Sequence, residues 1–406
     1  MTEATARVPD AGWLREKPLA DLLAAVDSDG EEARVNGGAV RDAMLGLPRG
    51  DIDIATTATP DIVISRAKAN GWKPVPTGIE HGTVTVVIAG KPFEVTTLRR
   101  DVETDGRRAV VSFTRDWAED ARRRDLTING LTLDRDGKVH DHVGGLDDLA
   151  AGRVRFIGDP RDRIREDFLR TLRFFRFHAR FARGSLDEAG FAATIAEREG
   201  LSRLSGERVR AELLKLLVAP RAAETVAAMA QAGLLAPLTS GAPRLSRFAR
   251  FVAGDADRPD ALLRLAALLQ FTAEDAARLK ARLRLSNAES KRLEAIGDLT
   301  PALSPADGEQ AAQRALYSLG ESAYRDRVRL AAVDAPEKDW SVLISLPDRW
   351  APPKFPLTAA DFRARGLEGP PLGRALKAAE AAWVEAGFPE DAAGIVDAML
   401  ENTRKS

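Results

Sequence analysis

The chain has 406 residues, 44% of them hydrophobic, with a formal net charge of −1 and no cysteine. That length exceeds one compact core and predicts roughly two to four domains. The near-zero charge excludes a global pull on nucleic acid, so such a partner needs a local patch. The absence of cysteine excludes disulfides and Cys-ligated zinc.

The four histidines, His81, His140, His142 and His178, are too scattered for a metal-binding spacing. His140-Asp141-His142 reads as a loop at the end of a strand. No apolar run reaches membrane-spanning length, and the N-terminus lacks a signal-peptide core. No membrane partner and a cytoplasmic location are therefore expected.

In chain order, a loose lead gives way to a helix around residues 19–26. A strand at 33–35, a helix at 40–45, a strand at 51–55 and a helix at 60–70 follow. Residues 83–88 and 93–98 are β-branched or alternating and predict strands joined at Ala89-Gly90-Lys91. Residues 126–133 and 138–139 add strand-like stretches, with a turn at Asp136-Gly137. After Pro160 the pattern is helical almost to the end, with Pro- and Gly-rich joints at 236–243, 297–308 and 347–356. The expected division is a mixed α/β head over 1–150, a helical neck over 151–220, a helical body over 221–300 and a helical tail over 301–406.

The chemistry is concentrated in Gly37-Gly38-Ala39-Val40-Arg41-Asp42, followed by Asp51-Ile52-Asp53. Glycines let the backbone approach an anion, and Arg41 offers a planar fork for phosphate oxygens. On a strand Asp51 and Asp53 point to one face, and two hard oxygen ligands there suit Mg²⁺. A third carboxylate from a neighbouring strand is expected, with Glu94 and Asp125 as the candidates.

Three arginines, Arg122, Arg123 and Arg124, enter the apolar stretch Leu126-Thr127-Ile128 and gather positive charge at one sheet edge. In Glu166-Asp167-Phe168-Leu169-Arg170, helical pitch puts Asp167, Arg170 and Arg173 on one side, opposite Phe168, Leu172, Phe175 and Ala179. Cytosine and adenine each present an amino donor beside a ring-nitrogen acceptor. One carboxylate with one guanidinium could accept both and reject uracil and guanine, at roughly 1–3 kcal/mol per good pairing. The run 205–215 reads as a supporting helix with Arg208–Glu212 and Glu212–Lys215 pairs along it. Between Arg153 and Arg183 ten arginines face four acids, a surplus of six that suits RNA phosphates.

GGAVRD, DIDIAT, HGTVTV (81–86), FEVTTLR (93–99), RRRDLTING, HVGGLDDL (142–149), EDFLRTLRFFRF and SGERVRAELLKLL occur in this order. The series resembles the bacterial class II tRNA nucleotidyltransferases, which build the 3′-terminal CCA of tRNA, and the related poly(A) polymerases. The match is close over 33–220 and weaker over 356–376, where it resembles the family's tail.

The resemblance implies a nucleotidyltransferase head with a mixed five-stranded sheet, followed by an all-α neck, body and tail. It implies Mg²⁺ as cofactor and tRNA, CTP and ATP as partners, with no nucleic-acid template; no protein partner is expected. By position, Asp51 and Asp53 would hold the metal; the strand pattern adds Glu94 to the catalytic set. Gly37, Gly38, Arg41, Arg124 and Asp125 would meet the nucleotide. Asp167 and Arg170 would read its base, with Arg173 and Arg176 as further contacts.

A loop at 99–115, containing Asp105-Gly106-Arg107-Arg108, corresponds to the one that full CCA enzymes need for the final A. The Gly-Arg-Arg-Phe-like run of bacterial poly(A) polymerases and the His-Asp phosphohydrolase motif are both absent. Addition of C, C and A is the expected activity. A CC-adding enzyme, a poly(A) polymerase and a catalytically silent RNA-binding protein are the alternatives.

Overall fold

A computed structural model describes residues 4–392 except 106, 107, 271 and 299, together with 394 and 397. The chain divides into two compact units, Met1–Ala242 with Arg282–Arg284, and Pro243–Ala281 with Leu285–Ser406. The boundaries expected at 150 and 220 fall inside the first unit and the one at 300 inside the second, while the body expected over 221–300 straddles the division at 242.

Among the described residues the first unit has ten strands. They are β1 (Ala4–Arg7), β2 (Ala33–Asn36), β3 (Asp53–Thr56), β4 (Lys73–Gly78), β5 (Thr83–Ile88), β6 (Lys91–Thr97), β7 (Arg99–Asp105), β8 (Arg108–Phe113), β9 (Thr132–Leu133) and β10 (Lys138–Asp141). Eight form one mixed sheet in the order β1-β10-β9-β2-β3-β6-β5-β4, and β7 pairs with β8 in a separate hairpin.

The resemblance implies five strands where eight form the sheet, and the sequence pattern misses its polar margins. β1 is Ala-Thr-Ala-Arg and largely exposed. β4 carries Pro74 and Pro76 and a register shift after Val75, which an edge strand tolerates and an interior one does not. In the interior the periodicity is clear. Val84, Val86 and Ile88 of β5 are buried in strict alternation with half-buried neighbours. The helices Leu19–Val26 and Pro60–Ala69 pack together, burying Leu22, Leu23 and Val26 on one and Val63 and Ala67 on the other.

Residues 126–133 are not the single strand expected. Thr127–Asn129 is a turn of 3₁₀ helix, and β9 is confined to Thr132–Leu133. Local side-chain bonds compete with the ladder there. Thr127 Oγ1 donates to Asp148 Oδ2 at 2.6 Å, and Asn129 Nδ2 to Asp125 Oδ1 at 3.2 Å.

Helices complete the first unit. The run at 166–177 is not one helix either: Pro160–Glu166 ends, Asp167 is extended (φ −156°), and a second helix spans Leu169–Phe181. Phe168 therefore precedes the apolar stripe instead of belonging to it. Leu172, Phe175 and Ala179 are buried, and the helix packs on Gly206–Leu217 through Val209, Leu213 and Leu216. Phe156 stacks on Phe174 with ring centroids 5.1 Å apart, and Phe174 meets Phe175 edge-on at 5.3 Å. This aromatic ladder fixes the rotation of Leu169–Phe181, and with it the direction of its arginines.

The second unit is helical throughout its described residues. Tyr324, Trp340, Leu316 and Leu343 form one core, and Phe362 with Ala379 forms another. Among the described residues no helix is long and apolar enough to cross a membrane.

Candidate active site

β2 ends at Asn36, and the chain turns through Gly37 with φ 65° and ψ −118°, a backbone region that a side chain would strain. The Gly37 N–H donates to Leu131 O at 3.0 Å, and a short helix, Gly38–Met44, begins at once. β3 lies antiparallel to β2 and sets Asp53 opposite Asn36. On its other side β3 runs parallel to β6 and sets Asp53 level with Glu94.

Asp51 lies just before β3, so strand alternation does not orient it as expected. Asp51 and Asp53 nevertheless line one cleft of about 720 Å³ with Gly37, Gly38 and Arg41. Burial, then the Glu94 and Asp51 carboxylates beside it, pushes the Asp53 carboxyl up, against the pull of Arg124. Among the described residues no three His, Cys, Asp or Glu groups converge at metal-holding distances. The carboxylates thus form an open pair with Glu94 on the flank, not a closed cage.

Asp125 is not available as a third metal carboxylate. It accepts from the Leu126 N–H at 2.8 Å and from Asn129, and it pairs with Arg173 Nε at 2.5 Å. Burial acts to raise its pKa, but Arg173 and these hydrogen bonds outweigh it and hold the carboxyl below the usual range. Asp120 does similar work on the other side. It binds Arg123 and Arg124 at 2.8 Å each, and Arg124 Nη1 reaches Asn36 Oδ1 at 3.1 Å.

Arg41 is buried. Its Nε and Nη2 donate to Asp42 Oδ1 at 3.0 and 2.8 Å, its Nη1 donates to Asn129 Oδ1 at 2.6 Å, and its guanidinium lies 4.2 Å from the Phe181 ring centroid.

The side chains of Asp167 and Arg170, expected on one helix side, do not bond each other. Asp167 Oδ1 accepts from the Leu169 N–H and from Arg208 Nη1, both at 3.1 Å, and Oδ2 accepts from Arg208 Nη2 at 2.6 Å. Arg170 instead binds Glu166 and donates to the Arg163 and Arg123 carbonyls at 3.1 Å. The intrahelical pairs expected around Glu212 are also replaced. Arg208 goes to Asp167, and Glu212 takes Arg176 Nε at 2.5 Å. The pairing partners were visible as residue types, but contacts between helices cannot be read from spacing along one of them.

Asn36, Asp120, Asn129, Arg208 and Lys215 therefore join the site beyond the residues picked out from the sequence; all but Asp120 line the cleft, as do Arg124, Asp125, Asp167, Arg170, Arg173 and Arg176. His140 and Asp141 lie on β10 and serve the fold. His140 Nε2 bonds Asp134 at 2.9 Å, and Asp141 caps the turn through the Val143, Gly144 and Leu146 N–H groups. Gly106 and Arg107 of the 99–115 loop lie outside the described residues, while the flanks of that loop form the β7–β8 hairpin.

A carboxylate pair beside a glycine turn, facing an arginine-lined helix, is the arrangement of a nucleotidyl-transferring head on a helical support. Residues 33–155 match the poly(A) polymerase head domain, and residues 185–245 match a segment described as the probable RNA and SrmB-binding site of polymerase A. The mitochondrial CCA tRNA nucleotidyltransferase 1 of Mus musculus is 32% identical over 380 residues, covering 92% of this chain and 86% of the relative. The CCA-adding enzyme of Leuconostoc citreum is 40% identical over 218 residues, covering 53% and 52% of the two chains. The crystal structure of the Bacillus stearothermophilus CCA-adding enzyme in complex with CTP superposes with a TM-score of 0.77 at 26% identity, covering 96% of this chain and all of that one. The chain belongs to the class II CCA-adding enzyme and poly(A) polymerase head family.

Proposed function

We infer that this protein adds C, C and A to the 3′ end of tRNA, using CTP and ATP and releasing pyrophosphate. One observation carries the reading. A carboxylate pair, an arginine-lined wall and a base-sized polar contact at Asp167 share a single cleft. The relatives, named for CCA addition, support the same reaction.

The donor set fits Mg²⁺. Asp51 and Asp53 are hard oxygen ligands, and the repulsion that raises Asp53 is what a divalent cation relieves. An open pair leaves positions for phosphate and water oxygens, which Mg²⁺ prefers. When bound, Mg²⁺ supplies Lewis acidity to the phosphate and to the attacking hydroxyl. Glu94, level with Asp53, strengthens the negative field that holds it.

The 3′ hydroxyl attacks the α-phosphate, and pyrophosphate leaves in line. Arg124, oriented by Asp120 and Asn36, and Arg41, held by Asp42 and Asn129, face the triphosphate, and the Gly37-Gly38 turn lets it approach the backbone. Arg173 and Arg176 are held extended toward the cleft by Asp125 and Glu212.

Asp167 has capacity for one base. An ionised carboxylate offers about four acceptor positions. Arg208 fills two and the Leu169 N–H one, which leaves a single position on Oδ2 for an exocyclic amino group. Cytosine N4 and adenine N6 can supply that hydrogen; the carbonyls of uracil and guanine cannot. Arg170 retains N–H groups for the adjacent ring nitrogen.

The test is incorporation by the purified protein on tRNA that ends before its CCA, with each NTP alone and in combination. Ordered addition of C, C and A is expected. A stop after two C assigns a CC-adding enzyme, long A tails assign a poly(A) polymerase, and no incorporation refutes the enzymatic reading.

A further inference from the structure

The second unit contains a recessed cavity of about 230 Å³ that no step of nucleotide addition uses. The helices Leu245–Gly254, Asn287–Gly297 and Glu321–Asp334 contribute to its wall. Ile296 and Leu303 give it an apolar side, and Arg247, Gln270, Arg327 and Asp334 give it a polar one.

The polar side is short of negative charge. Arg327 is only 5% exposed. Its Nη1 and Nη2 donate to the Thr300 and Pro301 carbonyls at 3.0 and 2.6 Å, which satisfies hydrogen bonds without neutralising the cation. Its opposing charge is Asp298, beyond ion-pair distance, and burial lowers the guanidinium pKa. Arg247 is buried as well and donates to the Ala266 and Gln270 carbonyls at 3.2 and 2.9 Å. Its Nε lies 2.9 Å from Asp334 Oδ1 but out of line, so this N–H makes no hydrogen bond among the described residues. Gln270 is 4% exposed; its Nε2 donates to Leu293 O, while its Oε1 has no partner among the described residues.

Two guanidiniums against one half-exposed carboxylate leave an excess positive charge beside an apolar wall. Water can fill the polar side but cannot neutralise it. A metal cation would be repelled. An RNA phosphate cannot follow, because a polymer backbone does not reach a guanidinium this recessed.

We propose that the cavity binds a small organic anion, a carboxylate or phosphate head on a short apolar body. Arg327 and Arg247 meet the head, and Ile296 and Leu303 line the body. Charge-assisted contacts to guanidinium supply the specificity, and the apolar wall excludes bare inorganic ions.

Calorimetric titration of the full-length protein tests this with hexanoate, phenyl phosphate, inorganic phosphate and hexylamine. Hexanoate or phenyl phosphate is expected to bind at millimolar concentration or below, and whichever binds tighter identifies the head group. Inorganic phosphate and hexylamine are expected not to bind. Arg327→Met should weaken binding by about tenfold or more, the scale of a lost charge-assisted contact. Leu303→Trp, which fills the space and leaves both arginines unsubstituted, should abolish binding while nucleotide incorporation persists. The proposal falls if neither organic anion binds, if inorganic phosphate binds as tightly as they do, or if both variants bind like the parent.

Discussion

Asn129 joins the helix that follows the glycine turn to the helix Leu169–Phe181. Its Oδ1 accepts from Arg41 Nη1 at 2.6 Å, while its Nδ2 donates to Asp125, the carboxylate that holds Arg173. One amide thus bridges a buried cation and a buried anion, and both lose a partner if it is removed.

Asn129→Ala should lower stability by about 1–3 kcal/mol, the cost of leaving buried polar groups unpaired. Arg41 and Arg173 should then drift, so kcat should fall for CTP and ATP alike. Urea denaturation combined with steady-state kinetics checks both. A variant with parental stability and kinetics would refute the bridging role.

Asp53→Asn separates catalysis from folding. Activity should drop about a thousandfold or more, because several kcal/mol of metal assistance is lost and each ~1.4 kcal/mol is tenfold. The melting temperature without metal should match or exceed that of the parent, since burial, Glu94 and Asp51 disfavour the charge that is removed. Calorimetric scans with and without Mg²⁺ decide it: the Mg²⁺-dependent gain in the parent should vanish in the variant.

Arg208→Met should relax base choice. Arg208 fixes both Asp167 oxygens, and without it the carboxylate can rotate. Discrimination against UTP and GTP, worth roughly 1–3 kcal/mol per lost pairing, should shrink, with a smaller effect on tRNA affinity. The ratios of kcat/KM across the four NTPs measure this. Uniform loss for all four would show that Arg208 only supports the fold. Arg170→Ala should behave alike.

His178 should shape acid stability. Its Nδ1 is buried without a partner among the described residues, and burial followed by nearby Arg221 lowers its pKa from 6.5 to about 4. The folded protein keeps the ring neutral where the unfolded chain protonates it, so stability is full above pH 6.5 and falls as pH drops toward 4. The loss should approach roughly 3 kcal/mol at the lower end. His178→Phe should flatten this part of the profile, as read by denaturation between pH 7.5 and 4.5. An unchanged slope would place the acid sensitivity elsewhere.

The order of motifs, the Asp51/Asp53 pair, the turn at Gly37-Gly38 and the switch from mixed α/β to helix were legible in the sequence. Each depends on local chemistry: glycine conformational freedom, β-branched alternation, or helical periodicity. The sheet margins were not legible, because edge strands such as β4 need no hydrophobic pattern and tolerate proline.

What only the tertiary structure decided is who partners whom. Spacing pointed to Arg208–Glu212 and Glu212–Lys215 pairs; the packed helices instead join Asp167 to Arg208 and Glu212 to Arg176. It also removed Asp125 from the metal candidates by setting Arg173 against it. The physical reason is range. Sequence periodicity tells which face of an element a charge occupies, whereas the counter-charge that satisfies it comes from an element dozens of residues away, brought there by apolar packing such as the Phe156–Phe174–Phe175 ladder.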